Sequence, residues 1–297
     1  MISNRTIAIL GGDTRQISLC ERLLAENIGV HTFGLPSEKL SAGIHCFDDW
    51  HEAIKGVHAV VLPLPASPDG RRIHLPLATG EEPPLIAELF AGLGNRIPVA
   101  GGKFSPALKL LAEEQGVRLY DYFECEELQV KNALPTAEGA VSILMREVPR
   151  TVSGLPVAVT GYGRVAKALI RLLLAMNATV TVTARKKEDI ASAAKQGCKT
   201  VLLTDQKSLK DLSKGQAVVF NTVPYWLFDD EVLADMDKSI LIIDLASAPG
   251  GVDANAAAAY GIRVIWALSL PGKYAPITAG EIIAESVLAY FKKEGIL

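Results

Sequence analysis

An α/β fold of two doubly wound parallel sheets is predicted by three observations on the sequence. Short β-branched runs alternate with helically spaced apolar segments along all 297 residues. Glycine turns close two of those runs, at Gly11-Gly12 and at Gly161-Tyr162-Gly163. The chain is long enough for two separately buried cores, and 49% of its residues are hydrophobic.

The remaining totals narrow the class. A formal charge of −3 gives no reason to expect a nucleic acid or an anionic membrane as partner. Cys20, Cys46, Cys125 and Cys198 are scattered, with no Cys-x-x-Cys pair, so reduced thiols in a cytoplasmic protein and no metal site are expected. No apolar run is long enough for a signal peptide or a membrane span. The absence of a Gly-x-Ser-x-Gly elbow, a His-Glu-x-x-His helix and a phosphate loop argues against hydrolases and kinases.

In chain order, residues 6–10 form a buried type of strand that ends in Gly11-Gly12-Asp13-Thr14-Arg15-Gln16. A helix over residues 15–27 and a strand over 30–33 follow. Asp13 and Arg15 belong to a loop at the strand's carboxyl end, where open α/β sheets bind ligands, although Asp13 also suits a helix cap. Residues 59–65 make a strand that runs into a linker-like, proline-rich stretch, 63–84, which contains His74. A further strand leads to Gly101-Gly102-Lys103, with Lys103 at the same sheet edge; a helix over 107–115 and a strand over 117–121 complete a sheet of five. Residues 1–130 thus form a first Rossmann-like domain, completed by a carboxyl-terminal helix over 277–297 that crosses back to it. The connecting helix, 131–150, opens near Asn132, with Pro135 in its first turn and Thr136 placed to cap or to hold a carboxylate.

Residues 151–276 form the second domain, and a cleft between the two is expected. Gly161-Tyr162-Gly163-Arg164-Val165-Ala166 stands between a strand and a helix, the order of a dinucleotide-binding turn. Arg185 follows the next strand, where an NAD-selective site carries Asp or Glu. A guanidinium there suits the 2′-phosphate of NADP(H). Strands ending at Asn221-Thr222 and at Asp244-Leu245-Ala246-Ser247 put Asn221, Thr222, Asp244 and Ser247 on the expected nicotinamide side. Lys273 and Thr278 lie in a proline-punctuated loop, 270–280, ahead of the last helix.

Six segments in this order resemble the A-subunit family of bacterial dipicolinate synthase, almost end to end. They are Gly11-Gly12-Asp13-Thr14-Arg15-Gln16, Pro135-Thr136-Ala137-Glu138-Gly139, Gly161-Tyr162-Gly163-Arg164, Asn221-Thr222-Val223-Pro224, Asp244-Leu245-Ala246-Ser247 with Pro249-Gly250-Gly251, and Leu270-Pro271-Gly272 with Ala275-Pro276-Ile277-Thr278-Ala279-Gly280. The resemblance implies oxidation of dihydrodipicolinate to dipicolinate by NADP⁺ in the mother-cell cytoplasm of a sporulating bacterium. It also implies a partner, a flavoprotein-like B subunit. Homo-oligomers are left open. Such a dicarboxylate calls for cationic or N–H donors, and Arg15, Lys103, Thr136, Lys273 and Thr278 are the candidates. As general base, Asp13 and Glu138 rank ahead of His74, because they sit inside the resembling motifs. Two alternatives stand: another two-domain dehydrogenase of a small carboxylate, and a non-catalytic nucleotide-binding subunit.

Overall fold

The computed structural model describes residues 5–297. By its contacts the chain divides into two compact units, residues 1–132 with 275–297, and residues 133–274. Each is built on one parallel sheet, and among the described residues both sheets have six strands.

The first unit runs β1 (Thr6–Leu10), α1 (Thr14–Ala25), β2 (Gly29–Phe33), β3 (Ile44–Phe47), α2 (Trp50–Ala53), β4 (Ala59–Val61), α3 (Ile86–Leu93), β5 (Val99–Gly101), α4 (Pro106–Glu114) and β6 (Leu119–Asp121). Helix α5 (Glu126–Glu147) starts in this unit and ends in the second. The second unit continues with β7 (Pro156–Thr160), α6 (Arg164–Ala175), β8 (Thr179–Ala184), α7 (Lys187–Lys195), β9 (Lys199–Leu202), α8 (Gln206–Ser213) and β10 (Val218–Asn221). It closes with α9 (Asp230–Ala234), β11 (Leu241–Asp244), α10 (Ala254–Tyr260), β12 (Arg263–Trp266) and α11 (Leu270–Tyr274); α12 (Pro276–Lys293) returns to the first unit.

The strand orders are β3-β2-β1-β4-β5-β6 and β9-β8-β7-β10-β11-β12, one doubly wound topology used twice. Alternation along the central strands sends neighbouring residues to opposite faces. Ile7 and Ile9 join a core with Leu19 and Leu23 of α1 and Ile283, Val287 and Phe291 of α12. Ala8 and Leu10 face the other layer, with Leu89, Phe90 and Leu108. In the second unit Val157 and Val159 pack on α5 and α6, and Ala158 packs on α8, α9 and α10. No helix among the described residues is long and apolar enough to cross a membrane.

Four expectations about elements change. Strands β3 and β9 are additional; each is a four-residue, half-exposed edge strand without the apolar run that marks a buried one. Helix α5 begins at Glu126, so Pro135 lies inside it rather than in its first turn, and the helix forgoes one internal hydrogen bond there. Lys273 lies in α11 and Thr278 in the first turn of α12, not in a loop. The 63–84 stretch is no linker: Ile73 is buried, and its N–H bonds to the Pro84 carbonyl at 3.0 Å.

Helix α12 belongs to the first unit because it lies against α1 at Gly280, where a Cβ would overlap the Arg15 carbonyl oxygen and come within 2.6 Å of Ser18 Cβ. Gly280→Ala is therefore expected to destabilise the fold by roughly 1–3 kcal/mol, read from urea unfolding midpoints, because the closest obstacle is backbone and cannot rotate away.

Candidate functional site

The second unit holds an open glycine turn. Gly161 has φ +90°, and a Cβ on it would meet Thr222 Oγ1 at 2.6 Å and Val223 Cγ2 at 2.9 Å. Glycine is thus required both by backbone geometry and by the neighbouring loop. Gly163 differs: its φ is an ordinary −78°, and a Cβ there would find no atom within 4 Å. It is the N-cap of the 12-residue α6, it offers no side-chain cap, and the first turn contains no acidic residue. An uncapped helix amino terminus behind an empty approach fits an anionic diphosphate. Ala166, fully buried, lets α6 lie close to its sheet.

Several side chains expected to face a nucleotide have other tasks. Tyr162 is 7% exposed; its hydroxyl donates to Ser192 Oγ at 3.2 Å and accepts from Gln196 Nε2, pinning α7. Val165 packs on the core, while Arg164 is exposed. Asn221 is 0% exposed and Asp244 2% exposed. Asn221 Oδ1 accepts from Thr160 Oγ1 at 2.5 Å and from Val223 N at 3.1 Å. Its Nδ2 donates to Val223 O at 3.0 Å and to Asp244 Oδ1 at 2.8 Å. Asp244 further accepts from Ala246 N at 3.0 Å and Gly251 N at 2.8 Å. These two side chains shape the loops after β10 and β11 and, being buried and saturated, do not line a ligand surface. Thr222 donates to Thr160 O at 2.7 Å; Ser247 is exposed. Arg185, also exposed, has no ion-pair partner among the described residues, and α7 behind it starts at Lys186 without a side-chain cap.

The first unit's glycine turn is closed by its own chain. The Gly12 N–H donates to the His74 carbonyl at 2.9 Å, and a Cβ on Gly11 would lie 2.6 Å from that same oxygen. Space above Gly12 is filled by the side chain of Gln16. Helix α1 is capped in full: Asp13 Oδ1 accepts from Arg15 N at 3.0 Å and Gln16 Oε1 from Asp13 N at 3.1 Å. That pattern is a capping box.

Around this closed turn the structure assembles five of the predicted residues. Arg15 is 5% exposed; its Nε and Nη2 hold the Asp13 carboxylate at 2.9 and 2.8 Å, and Nη2 also bonds the Leu64 carbonyl. Segment 63–66 then acts as a hub. Pro63 O accepts from Gly102 N at 3.0 Å, Ala66 N donates to Gly102 O at 2.8 Å, and Ala66 O accepts from His74 N at 3.0 Å. Lys103, next along, is exposed in the left-handed region at φ +59°, held there because Asp121 accepts from its N–H and that of Phe104, each at 2.9 Å. Thr278, exposed, is in the turn of α12 that lies beside Arg15. Burial drives the Asp13 carboxyl upward, but Arg15 outweighs it and holds the group below its ordinary value. Burial lowers His74, Asp13 opposes this and Arg15 adds to it, with a net downward shift.

Thr136, Glu138 and Lys273 belong to the second unit and are not members of that group. Thr136 is one turn from Gly139, where α11 packs on α5. Glu138 is exposed and lines a shallow groove of about 480 Å³ with Val141, Met145, Leu172 and Met176. The residues missed from sequence are Thr160 and Asp121, buried polar groups that act across long stretches of chain and leave no local motif.

Residues 6–123 match the model of the N-terminal domain of the dipicolinate synthase A subunit, and residues 156–248 that of the coenzyme F420-dependent NADP oxidoreductases. The dipicolinate synthase A subunit of Bacillus subtilis (strain 168) is 29% identical over 286 residues, covering 96% of this chain and 95% of that protein. The crystal structure of the same subunit from Bacillus halodurans matches with a TM-score of 0.88 at 26% identity, over 98% of both chains. Along its whole length the chain resembles the A subunit of dipicolinate synthase. The A chain of the Bacillus subtilis dipicolinate synthase crystal structure agrees, with a TM-score of 0.86 at 27% identity over 99% of each chain. The two doubly wound sheets expected from sequence are the fold of these dipicolinate synthase structures. The second unit is an oxidoreductase-type nucleotide-binding domain.

Loss of the Asp13 carboxylate leaves a buried guanidinium without its counter-charge and α1 without its cap. Asp13→Ala is expected to cost roughly 2–4 kcal/mol in urea unfolding. Because the folded carboxyl titrates below its ordinary 3.8, wild type keeps this advantage above that pH and loses it as the solution is acidified further, so the two proteins converge there.

Proposed function

We propose that the chain is the oxidising A subunit of a dipicolinate synthase: it converts dihydrodipicolinate to dipicolinate with NADP⁺ as oxidant. One observation carries this reading, the open and uncapped turn at Gly163 in the second unit against the filled turn at Gly12 in the first. A diphosphate has room at one and not at the other.

Gly161, Gly163 and the first turn of α6, with the backbone of Tyr162, Arg164 and Val165, would hold the diphosphate. Arg185 and the uncapped start of α7 would hold the 2′-phosphate, two features that favour NADP(H) over NAD(H). The buried Asn221–Asp244 pair would fix the loops that flank the nicotinamide, leaving Thr222 and Ser247 as the groups toward it. When bound, the nucleotide supplies the hydride acceptor. The substrate is a dianion, and the cations of the first unit suit it: Arg15, pinned on one side and with Nη1 outside those bonds, and Lys103, fixed in backbone and free in side chain. Aromatisation of the ring provides the driving force, so the protein's work is to orient the ring and exclude water. A B subunit is proposed as partner because the relatives are named as A subunits, and the mother-cell cytoplasm as location on the same resemblance.

The direct test mixes the purified chain with NADP⁺ and freshly generated dihydrodipicolinate, with and without the B subunit. NADPH and dipicolinate absorbance should rise together; binding of NADPH without turnover in either mixture would make a non-catalytic, nucleotide-binding role the better reading. Gly163→Ala should unfold like wild type, since the methyl meets no protein atom, yet bind NADPH on the order of tenfold or more less tightly in a fluorescence titration. Arg185→Asp is expected to weaken NADPH by a similar factor, on the order of tenfold, and NADH far less.

A further inference from the structure

We infer that His74 is the general base of this oxidation, taking the ring proton while Arg15 holds the adjoining carboxylate. The inference rests on the function proposed above and reverses the order of candidates that the motifs suggest.

The imidazole is fixed through its own backbone. His74 N donates to Ala66 O at 3.0 Å, and its carbonyl accepts from Gly12 N at 2.9 Å, so the residue is clamped between the hub segment and the closed glycine turn. Its ring, by contrast, has no hydrogen-bond partner among the described residues and is only half-buried. A positioned ring with both nitrogens uncommitted, beside an anchored guanidinium, is what proton abstraction from a bound carboxylic acid requires. The charged groups that act on it are Asp13 and Arg15, both at the start of α1. Burial and Arg15 together favour its neutral form, the form that accepts a proton.

The other carboxylates at this sheet edge are already employed. Asp13 is taken up by Arg15 and by the cap of α1. Asp121 accepts from the N–H groups of Lys103, Phe104 and Phe123. Asp69, in the same loop as His74, is held at about 2 by the N–H groups of Arg72 and Arg71 and the Ser67 hydroxyl. Each is a weak base for that reason. Glu138 lines the groove of the second unit instead.

The step balances with the nicotinamide nucleotide as oxidant. One ring C–H bond breaks with its electron pair leaving as hydride to that oxidant. A second ring hydrogen leaves as a proton to the imidazole, and the pair it leaves behind completes the aromatic sextet. The imidazolium then returns its proton to water.

Two measurements on full-length protein test this. In the first, the pH profile of kcat/KM for wild type, with the B subunit where turnover needs it, should fall on the acid side below about 6.5 as His74 protonates. His74→Asn should lower kcat on the order of 100-fold or more and abolish that limb, with NADPH affinity and unfolding midpoint unchanged because both backbone bonds survive. A variant that keeps the acid limb and a kcat near wild type overturns the inference. The second needs no turnover. The chain has five histidines, and the His74 imidazole resonance, assigned by its loss in His74→Asn, should titrate at higher pH once dipicolinate is added, because the dianion favours the protonated ring. A His74 resonance indifferent to dipicolinate overturns the assignment whatever the assay gives. A dipicolinate-sensitive His74 in a protein that never reduces NADP⁺ overturns the oxidation itself.

Discussion

The buried guanidinium of Arg15 is the constraint on which the first unit depends. A charge that is 5% exposed must be matched, and Asp13 matches it from two residues away while capping the same helix. One carboxylate cannot saturate five donors, so Nη2 also takes the carbonyl of Leu64, just beyond β4. That bond draws the chain after β4 over the end of β1. The chain continues to His74, whose carbonyl satisfies the Gly12 N–H. Closure of this turn therefore follows from pairing one arginine, and it leaves the carboxyl edge of the sheet with polar side chains instead of a nucleotide pocket.

The second unit repeats the topology with the opposite outcome, and the difference reduces to the residues at each helix start. Helix α1 has Asp13 as N-cap and Gln16 three residues on, a pair that satisfies the exposed amides from within the chain. Helix α6 has Gly163 and Ala166 at the corresponding places, neither with a polar side chain to offer. The amides of α6 must find an acceptor elsewhere, and nothing of the protein fills the approach. What keeps that turn in shape is a saturated buried network, Thr160 to Asn221 to Asp244 to Gly251, which ties the ends of β7, β10 and β11. Polar groups with every hydrogen bond made cost little and specify one geometry.

How much of this is legible in the sequence follows from the range of each interaction. The central strands can be read because β1 and β7 are continuous apolar runs, and the capping box of α1 can be read because Asp13 and Gln16 are three residues apart. Edge strands β3 and β9 cannot, since a strand paired on one side and half exposed carries mixed polarity. Pro135 looks like a helix start because a proline is tolerated there at no cost, whereas tertiary packing carries α5 through it. Tyr162 sits in the fingerprint and reads as cofactor-facing; its partners Ser192 and Gln196 are on and just after the next helix, invisible to a motif. The same limit applies to Asn221 and Asp244, whose pairing spans 23 residues.

Motif membership also misjudges the acid–base candidates, and the reason is physical. A carboxylate is found in a recurrent motif most often because it holds backbone or charge in place, and holding those groups stabilises its anion and weakens it as a base. Asp13 and Asp69 both show this, each saturated by neighbouring N–H groups or by a guanidinium. His74 lies outside any motif, in a stretch that reads as a linker, because what matters about it is set by the backbone bonds to Gly12 and Ala66 and not by its neighbours in sequence. Proton transfer needs a group that is positioned but not consumed. In this unit the residues that do the positioning are the ones a sequence pattern detects, and the group left uncommitted is the one it passes over.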